Sequence, residues 1–232
     1  MTVSLVLPCY DPPAGWEHTI CDNYRSFVQV TGGGGELILV MDGDSEDTDP
    51  AAIAYLKANI PQINIISYAV NRGKGYAIRQ GVAAAGGDVI LYTDVDFPYT
   101  LQSLMAVHDA LCNDECDVAV GVKNDDYYRH VPFLRRVISR YLRFIIQLFL
   151  SMPVTDTQCG LKGFRKTVSP LFLNTTIDRY LFDLEFIRNC FKSKKYRVKA
   201  IPVALKENIQ FRSMNYRILL PEMLNFARLL FK

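Results

Sequence analysis

The chain has 232 residues, about one and a half times the length of a typical domain, which favours one compact α/β domain with an appendage over two independent domains. Hydrophobic residues make up 50% of the chain and charged residues 22%, with 14 glycines and 11 prolines. This composition is ample for a core and excludes collagenous, low-complexity and wholly disordered classes.

The formal net charge of +2 conceals two halves of opposite sign. Residues 1–132 hold 7 lysines and arginines against 18 aspartates and glutamates, a net charge of −11, whereas residues 133–232 hold 19 against 6, a net charge of +13. Such asymmetry is typical of a protein whose acidic half binds cations or supplies catalytic carboxylates while its basic half meets phosphate, nucleic acid or a lipid surface. The alternative interpretation is that the two halves simply have solvated surfaces of different charge, without a role in binding.

Nothing in the sequence indicates secretion or a membrane span. The six cysteines lack the spacing of a disulfide framework, and the opening residues lack the basic region and apolar stretch of a signal peptide. The CNDEC pair, Cys112 and Cys116, has no second pair at zinc-ligand spacing and is interpreted as coincidence. The most apolar run, residues 137–154, is interrupted by charged and polar residues. We expect a reduced, cytosolic protein, and contact with a membrane surface stays open.

Apolar runs and turn residues predict alternating strands and helices along the first half of the chain. The predicted strands are Val3–Pro8, Glu36–Met41, Ile63–Ala69, Val89–Asp96 and Asp117–Val122. One predicted helix carries Trp16, Ile20, Tyr24, Phe27 and Val28, the next begins at Pro50, a third begins near Gly75, and a fourth spans Thr100–Cys112. Such alternation predicts a mostly parallel central sheet with helices on both faces.

Three polar clusters follow three of the predicted strands: Pro8–Asp11, Asp42–Asp49 and Asp94–Asp96. In open sheets of this kind, ligands bind beyond the carboxyl ends of the strands. Because loops at one edge of a sheet converge in space, we expect carboxylates from these distant segments to share one cleft.

The DVD sequence at Asp94–Asp96 is typical of a metal site. Strand alternation would send both aspartates to one side and Val95 to the other. Two neighbouring carboxylates repel each other unless a cation lies between them, and such oxygen ligands suit Mg²⁺ or Mn²⁺, often with substrate phosphates completing the shell. A lone DxD also occurs by chance in surface loops, but its position after a buried strand favours function.

A glycine-containing loop, NRGKGYAIRQG, follows the third predicted strand. Two glycines allow close backbone approach, so backbone donors, a helix N-terminus and the cations Lys74 and Arg79 can meet at one anion. The loop lacks the spacing of a Walker loop or a GxGxxG fingerprint, and a tight turn with a solvated lysine is an equally good interpretation.

Five segments in order resemble glycosyltransferase family 2, whose members have the GT-A fold. They are LVLPCYDP, VMDGDSEDT, NRGKGYAIRQGVAAAGGDVILYTDVD, DTQCGLKGFRK and FDLEFIRNCFKSKKYRVKAIPV. Within the family, the sequence is most similar to the polyprenyl-phosphate hexose synthases, which include the dolichyl-phosphate glucose and mannose enzymes. DTQCG resembles their glucose-type branch.

The resemblance implies a Rossmann-like GT-A domain over residues 1–211, with a nucleotide-sugar half at 1–122 and an acceptor half at 123–211. It implies that the nucleotide pocket is lined by Pro8, Tyr10 and Asp11. It further implies that Asp42 contacts the base, that the nucleotide is held by Lys74 and Arg79, and that the metal on the diphosphate is bound by Asp94 and Asp96.

Three departures from the family pattern stand out. Met41 replaces the first of two adjacent aspartates, so base recognition would rest on Asp42 alone. Pro98 stands where the polyprenyl-phosphate enzymes often have a metal-binding amide, which leaves a coordination site to water or another group. A QxxRW motif is absent from the sequence, which argues against the processive polysaccharide synthases.

Residues 134–150 can be drawn as a helix with a basic stripe beside a broad apolar face. The stripe consists of Arg136, Arg140, Arg143 and Gln147, and the apolar face of Val137, Ile138, Tyr141, Leu142, Ile145 and Phe149. Residues 212–232 repeat the pattern and predict a second, C-terminal amphipathic helix. Such helices suit a lipid interface. A core helix with a solvated edge is the alternative for the first, and dimerisation is a competing use of the surface.

The resemblance also implies an acceptor site. In the polyprenyl-phosphate enzymes, an arginine and a serine four residues later hold the acceptor phosphate, and Arg135 and Ser139 match them. Lys123 stands where relatives often have an arginine. A phosphate oxygen is already ionised near neutral pH and could attack the anomeric carbon without a dedicated base.

Asp156 complicates the assignment, because relatives with hydroxyl acceptors use an aspartate in this region as a general base. We include it in the site with its role open. Gln158 is a weaker candidate, and Cys159 is interpreted as packing. The predicted catalytic set is Asp96, Asp156, Arg135 and Ser139.

We therefore expect a metal-dependent, inverting transferase that moves a hexose, with UDP-glucose as the favoured donor, to a polyprenyl phosphate. It would act as a peripheral protein at the cytoplasmic face of a membrane. The alternatives are extension of a cell-surface saccharide with Asp156 as general base, and a non-catalytic nucleotide-binding protein of the same fold. Nucleic acid is not an expected partner, because aromatic and basic residues are not interleaved in an RNA-reading motif.

Overall fold

The computed structural model describes residues 1–33, 35–43, 49–123, 159–206 and 219–231. Their strands are β1 (Val3–Cys9), β2 (Gly35–Asp42), β3 (Asn64–Tyr68), β4 (Val89–Tyr92), β5 (Val118–Lys123), β6 (Lys162–Arg165) and β7 (Val198–Val203). Their helices are α1 (Trp16–Thr31), α2 (Pro50–Asn59), α3 (Lys74–Ala84), α4 (Leu101–Cys112), α5 (Ser169–Leu173), α6 (Phe182–Ser193) and α7 (Leu219–Phe231). The helix predicted over residues 134–150 lies outside these ranges.

All seven strands form one sheet in the order β3-β2-β1-β4-β6-β5-β7. Strands β1 to β4 run parallel, β5 is parallel to β7, and β6 is antiparallel to both β4 and β5. This confirms the predicted α/β class with a mostly parallel central sheet. The predicted boundary between residues 122 and 123 falls inside β5, and β6 and β7 of the predicted acceptor half belong to the same sheet.

Helices cover both faces of the sheet, and strand residues alternate between two cores. On one face, α1, α2 and α4 pack against side chains such as Leu5 and Leu7 of β1. On the other face, α3, α5 and α6 pack against side chains such as Val6. Because both faces are covered, β1 and β2 are mostly apolar, with runs at Leu5–Leu7 and Leu37–Met41 that the sequence patterns identify as strands.

Two helices begin where their local sequence predicts. Pro50 is the first residue of α2, and the carboxylate of Asp49 accepts a hydrogen bond from the amide of Ala51 at 2.8 Å. Thr100 precedes α4, and its hydroxyl accepts a hydrogen bond from the amide of Ser103 at 3.2 Å. Side-chain caps thus satisfy amides that a helix terminus leaves unpaired.

Strands β6 and β7 were missed by the sequence patterns. Strand β6 is four residues long and begins and ends with a charged residue, so neither alternation nor an apolar run marks it. Lys162 is nevertheless fully buried, and Phe164 packs in the core. A buried lysine needs a partner for its charge, and that partner is far away in the sequence.

Helix α7 corresponds to the predicted C-terminal amphipathic helix. Leu229 is 2% exposed and packs, with Phe226, against the core that contains α3 and α6. Leu224 is 57% exposed. Part of the apolar face is therefore used within the fold, and membrane association stays a prediction. Among the helices of the described ranges, none combines the length and apolar character needed to cross a bilayer.

Gly81 sets the distance between α3 and the sheet, because a methyl group there would lie 2.3 Å from Cγ1 of Val6. Alanine favours a helix over glycine by about 1 kcal/mol, whereas overpacking costs about 1–3 kcal/mol. We expect Gly81→Ala to lower the free energy of unfolding by about 1 kcal/mol in urea titration. Gly86→Ala, whose methyl would meet Glu36 at 3.4 Å, is the control, and equal effects of both substitutions would contradict the packing argument.

Candidate functional site

The carboxyl ends of β1, β2 and β4 meet at one edge of the sheet. Cys9 pairs with Met41 across β1 and β2, and Val6 pairs with Tyr92 across β1 and β4. Parallel neighbours end at the same edge, so the polar segments that follow them lie side by side. These segments are Pro8–Asp11, Asp42–Gly43 and Asp94–Asp96; residues 44–48 of the second predicted cluster lie outside the described ranges.

Asp94 and Asp96 lie on a turn, because β4 ends at Tyr92. The amide of Phe97 donates a hydrogen bond to the carbonyl oxygen of Asp94 at 3.0 Å, and Phe97 has a φ of +44°. Asp94 is half-buried and Asp96 exposed, whereas Val95 is 9% exposed and belongs to the core. Val95 is thus turned inward as predicted, although a turn produces the pattern and strand alternation does not.

Lys74 connects the glycine-containing loop to this turn, which we call the DVD turn. Its Nζ forms a hydrogen-bonded ion pair with Oδ1 of Asp94. The Lys74 side chain is 21% exposed and that of Asp94 is 37% exposed, so solvent reaches the pair. Burial alone would lower the pKa of Lys74, but the charges of Asp94 and Asp183 raise it above its ordinary value. The structure therefore places a permanent cation against one of the two predicted metal ligands.

Asp42 binds the backbone of the glycine-containing loop. Its Oδ1 accepts a hydrogen bond from the amide of Arg72 and its Oδ2 one from the amide of Gly73, both at 2.8 Å. Asp42 is 3% exposed. The anion that these loop amides hold in the structure is thus the protein's own carboxylate, and the predicted contact of Asp42 with a base stays a prediction.

The two glycines of the loop let the chain pack on itself. Gly73 has a φ of +108°, and a methyl group there would lie 2.6 Å from the carbonyl oxygen of Asp178. A methyl group on Gly75 would lie 2.6 Å from the carbonyl oxygen of Ile177 and 2.7 Å from Cβ of Phe182. The close approach that the glycines permit is therefore to residues 177–182.

Arg79 is bound by this same segment. Its guanidinium group forms an ion pair with Asp178 and donates hydrogen bonds to the carbonyl oxygen of Ile177 at 2.8 Å and to Oγ1 of Thr175 at 3.4 Å. The side chain is 11% exposed. These contacts give Arg79 a structural role, and its predicted contact with a nucleotide stays a prediction.

The end of β1 and the loop after it carry three predicted pocket residues. Pro8, the last residue but one of β1, is half-buried, Tyr10 is 52% exposed, and Asp11 is exposed with a φ of +47°. An exposed aromatic ring beside the sheet edge offers a flat surface on which a planar ring can stack.

A peptide unit that sequence reasoning missed packs against the DVD turn. The amide of Gly160 donates a hydrogen bond to the hydroxyl of Tyr99 at 2.9 Å, and the thiol of Cys159 contacts the same oxygen at 3.3 Å. A methyl group on Gly160 would lie 2.3 Å from Oδ2 of Asp94, so the carboxylate position requires glycine. Cys159 is fully buried, in line with its interpretation as packing.

A buried ion pair supports this peptide. Lys162 is 0% exposed, and its Nζ lies 2.9 Å from Oδ2 of Asp183 and donates a hydrogen bond to the carbonyl oxygen of Cys159. The hydroxyl of Tyr92 donates a hydrogen bond to Oδ1 of Asp183 at 2.5 Å. Both charged residues lie in segments that resemble the family, but the local sequence gives no signal that they are buried.

Lys206 brings a second cation close to the DVD turn. Its amide donates a hydrogen bond to the carbonyl oxygen of Pro98 at 2.9 Å, and its Nζ donates one to Oδ1 of Asn23 at 2.6 Å. Burial lowers the pKa of Lys206, and the carboxylate of Asp96 opposes that shift. Sequence reasoning missed this residue, because it belongs to none of the motifs.

Most of the predicted acceptor residues lie outside the described ranges, namely Arg135, Ser139, Asp156 and Gln158. Lys123 is the last residue of β5, which runs in the same direction as β4, so it lies at the same sheet edge as the DVD turn. Burial raises the pKa of Cys159, and the charges of Lys162 and Lys123 oppose this shift.

Asp42→Ala tests the clamp on the glycine-containing loop. We expect the free energy of unfolding to fall by about 1–3 kcal/mol in urea titration, because the amides of Arg72 and Gly73 lose their acceptor. Asp49→Ala removes a single exposed helix cap and is the comparison, with an expected loss of about 1 kcal/mol. An unchanged stability of Asp42→Ala would show that the loop does not depend on this carboxylate.

Comparison with known sequences gives a family and named relatives. The profile described as "Glycosyl transferase family 2" matches residues 4–170. A dolichyl-phosphate beta-glucosyltransferase of Drosophila melanogaster is 27% identical over 202 residues, which cover 81% of this chain and 62% of that protein. The enzyme of the same name from Saccharomyces cerevisiae is 25% identical over 224 residues, covering 88% of this chain and 67% of that protein. The chain thus spans about two thirds of these relatives.

Comparison with solved structures supports the fold. Glucosyl-3-phosphoglycerate synthase from Mycobacterium tuberculosis, in complex with Mn²⁺, UDP and phosphoglyceric acid, superimposes with a TM-score of 0.67 at 17% identity, over 94% of this chain and 73% of that chain. A mannosyltransferase from Pyrobaculum calidifontis, in complex with GDP-mannose and Mn²⁺, gives a TM-score of 0.58 at 16% identity, over 89% of this chain and 57% of that chain. At these identities the likeness concerns the fold.

Proposed function

Because the chain belongs to glycosyl transferase family 2, we propose that it transfers a hexose from a nucleotide diphosphate sugar, with UDP-glucose as the favoured donor, to a polyprenyl phosphate. The observation that carries this proposal is the pair of solvent-accessible carboxylates, Asp94 and Asp96, on a turn at the carboxyl edge of a parallel sheet. Support for the sugar and the acceptor comes from the relatives, which are named dolichyl-phosphate beta-glucosyltransferases.

The DVD turn fits a divalent metal ion, Mg²⁺ or Mn²⁺, that binds together with a diphosphate. Among the residues that the structure describes, no group of three or more His, Cys, Asp or Glu side chains forms a cage of protein ligands. Mg²⁺ is typically held by one or two carboxylates plus substrate phosphates, which matches Asp94 and Asp96. When bound, such an ion would neutralise the charge that develops on the departing diphosphate.

The donor would lie between the DVD turn and the loop after β1. Lys74 is cationic and within reach of solvent, so its Nζ can bind a diphosphate oxygen once Asp94 binds the metal ion. The exposed ring of Tyr10 suits stacking against a base. Both carboxylate oxygens of Asp42 bind amides of the glycine-containing loop. We propose that this loop forms the far side of the donor site.

The transfer itself needs no general base from the protein. An ionised oxygen of the acceptor phosphate forms a bond to the anomeric carbon while the bond from that carbon to the donor's diphosphate oxygen breaks, and the electron pair leaves on the diphosphate. In-line displacement inverts the anomeric centre and gives a β-linked lipid phosphosugar. The groups proposed to hold the acceptor phosphate are Lys123, Arg135 and Ser139, and the proposed site also includes Asp156 and Gln158, with their roles open.

A polyprenyl acceptor is embedded in a membrane, so part of the protein surface must contact that membrane. We propose that this contact is made at the cytoplasmic face of the membrane. On α7, Leu224 is 57% exposed and Arg228 is exposed. Glu222 of the same helix accepts a hydrogen bond from the amide of Leu181 at 2.9 Å, and the neighbouring Tyr180 is 50% exposed. Apolar and amphipathic side chains beside a cation suit a lipid interface.

Transfer assays with four radiolabelled donors test the proposal. The donors are UDP-glucose, UDP-galactose, UDP-N-acetylglucosamine and GDP-mannose, each incubated with a divalent metal and either a short polyprenyl phosphate or a water-soluble saccharide acceptor before organic extraction. We expect label from UDP-glucose in the organic phase and a loss of at least about tenfold in Asp94→Asn. Label that enters a water-soluble saccharide acceptor instead would support a saccharide-extending enzyme with Asp156 as base, and transfer to neither acceptor would support a non-catalytic nucleotide-binding protein.

The metal assignment is tested by calorimetry of UDP binding with and without Mn²⁺. We expect Mn²⁺ to tighten UDP binding to the wild-type protein and Asp94→Asn to remove this gain, because one of the two carboxylate ligands is lost. Asp109→Asn, an exposed aspartate on α4, is the matched control and should bind as the wild type does. Equal Mn²⁺-dependent affinity of Asp94→Asn and the wild type would contradict the metal site.

A further inference from the structure

We propose that the buried pair Lys162 and Asp183 is a positioning device for Asp94, acting through the Cys159–Gly160 peptide. The inference rests on the proposed function, since it concerns the metal-binding carboxylate. Neither residue belongs to the DVD turn, and both are closed off from solvent, with side chains 0% and 6% exposed.

The Cys159–Gly160 segment is held from both sides. Nζ of Lys162 donates a hydrogen bond to the carbonyl oxygen of Cys159. The amide of Gly160 donates one to the hydroxyl of Tyr99, which is itself 8% exposed. With its carbonyl and its amide both bound to buried groups, this part of the backbone has little freedom to move.

The clamped segment abuts the metal-binding carboxylate. The space for a Cβ atom on Gly160 is occupied by Oδ2 of Asp94, at 2.3 Å from the ideal position. Any shift of Gly160 toward the DVD turn therefore displaces that oxygen. Its partner oxygen, Oδ1, is bound by Lys74, so the carboxylate lies between a fixed backbone and a cation.

Asp183 holds Lys162 in the position from which Lys162 binds the Cys159–Gly160 peptide. Its Oδ2 lies 2.9 Å from Nζ of Lys162, and its Oδ1 accepts a hydrogen bond from Tyr92 at 2.5 Å. Tyr92 is the last residue of β4, two positions before Asp94. The pair thus adds a side-chain connection between the end of β4 and the start of β6, where Tyr92 and Lys162 already lie opposite each other in the sheet.

Stability alone is a weak reason for this pair. Buried ion pairs contribute little net stability, because desolvation offsets their attraction, and apolar residues of similar volume often serve as well. A directional contact from Nζ to a backbone carbonyl is what an apolar side chain cannot supply. Groups that orient a metal ligand are worth about 10- to 100-fold in metal affinity or activity.

The test replaces the whole polar cluster, so that no buried charge is left unpaired. The triple variant Lys162→Met, Asp183→Leu, Tyr92→Phe removes the device with similar volume. Tyr92→Phe alone keeps the ion pair. Lys166→Met is the matched control, because Lys166 also donates from Nζ to a backbone carbonyl, that of Ala85 at 2.6 Å, just past the other end of β6.

Two readouts are taken: the Mn²⁺ dissociation constant in the presence of UDP, by electron paramagnetic resonance, and hydrogen exchange at the Gly160 amide. We expect the triple variant to bind Mn²⁺ at least about tenfold more weakly and to exchange Gly160 faster. Lys166→Met should match the wild type in both readouts. Tyr92→Phe keeps Lys162 on the carbonyl oxygen of Cys159 but removes the connection from Asp183 to β4, so its effect should be smaller than that of the triple variant. A triple variant that binds Mn²⁺ and exchanges Gly160 as the wild type does would overturn the inference and leave the proposed function standing.

A wild-type protein with no UDP-dependent Mn²⁺ binding would instead contradict the proposed function and the inference with it. If the triple variant does not unfold cooperatively, Tyr99→Phe decides the matter. This substitution removes the acceptor of the Gly160 amide from the other side of the peptide and is expected to weaken Mn²⁺ binding in the same direction. Wild-type Mn²⁺ affinity in Tyr99→Phe would overturn the inference that the contacts on the Cys159–Gly160 peptide position Asp94.

Discussion

The position of one carboxylate, that of Asp94, links the parts of this protein that lie far apart in the chain. Lys74 binds one of its oxygens, and Gly160 leaves room for the other. Phe97 closes the turn through the carbonyl oxygen of the same residue. Lys74, Gly160 and the DVD turn, which are separated by tens of residues in the chain, therefore meet at this carboxylate. Without these contacts, repulsion from the carboxylate of Asp96 would tend to displace it.

The fold makes this convergence possible because parallel strands end together. The loop after β1, Asp42 at the end of β2 and the DVD turn after β4 all lie at one edge of the sheet. Lys123, the last residue of β5, lies at the same edge. The antiparallel β6 enters the sheet between β4 and β5 and starts at that edge. Its first residue, Lys162, thereby reaches the peptide that supports Asp94.

Most strands and helices of the fold, and the DVD turn, could be predicted from local sequence patterns. Strands β1 to β5 and the first four helices were predicted because burial on both faces produces continuous apolar runs, and because Pro50 and the turn residues mark helix starts. The DVD turn was found because carboxylates directly after a buried strand are chemically conspicuous. Strand β6 was missed because its buried lysine looks, in sequence, like a surface residue.

The amino-acid sequence sufficed for the class of fold, the family and the location of the acidic cluster, since each follows from patterns that span a few neighbouring residues. The tertiary structure decided which charges meet. Asp42 binds loop amides, Arg79 binds Asp178, and Lys162 binds Asp183. These pairings depend on where distant segments are brought together by the sheet, and electrostatic partners separated by about twenty residues or more leave no periodic trace in the chain.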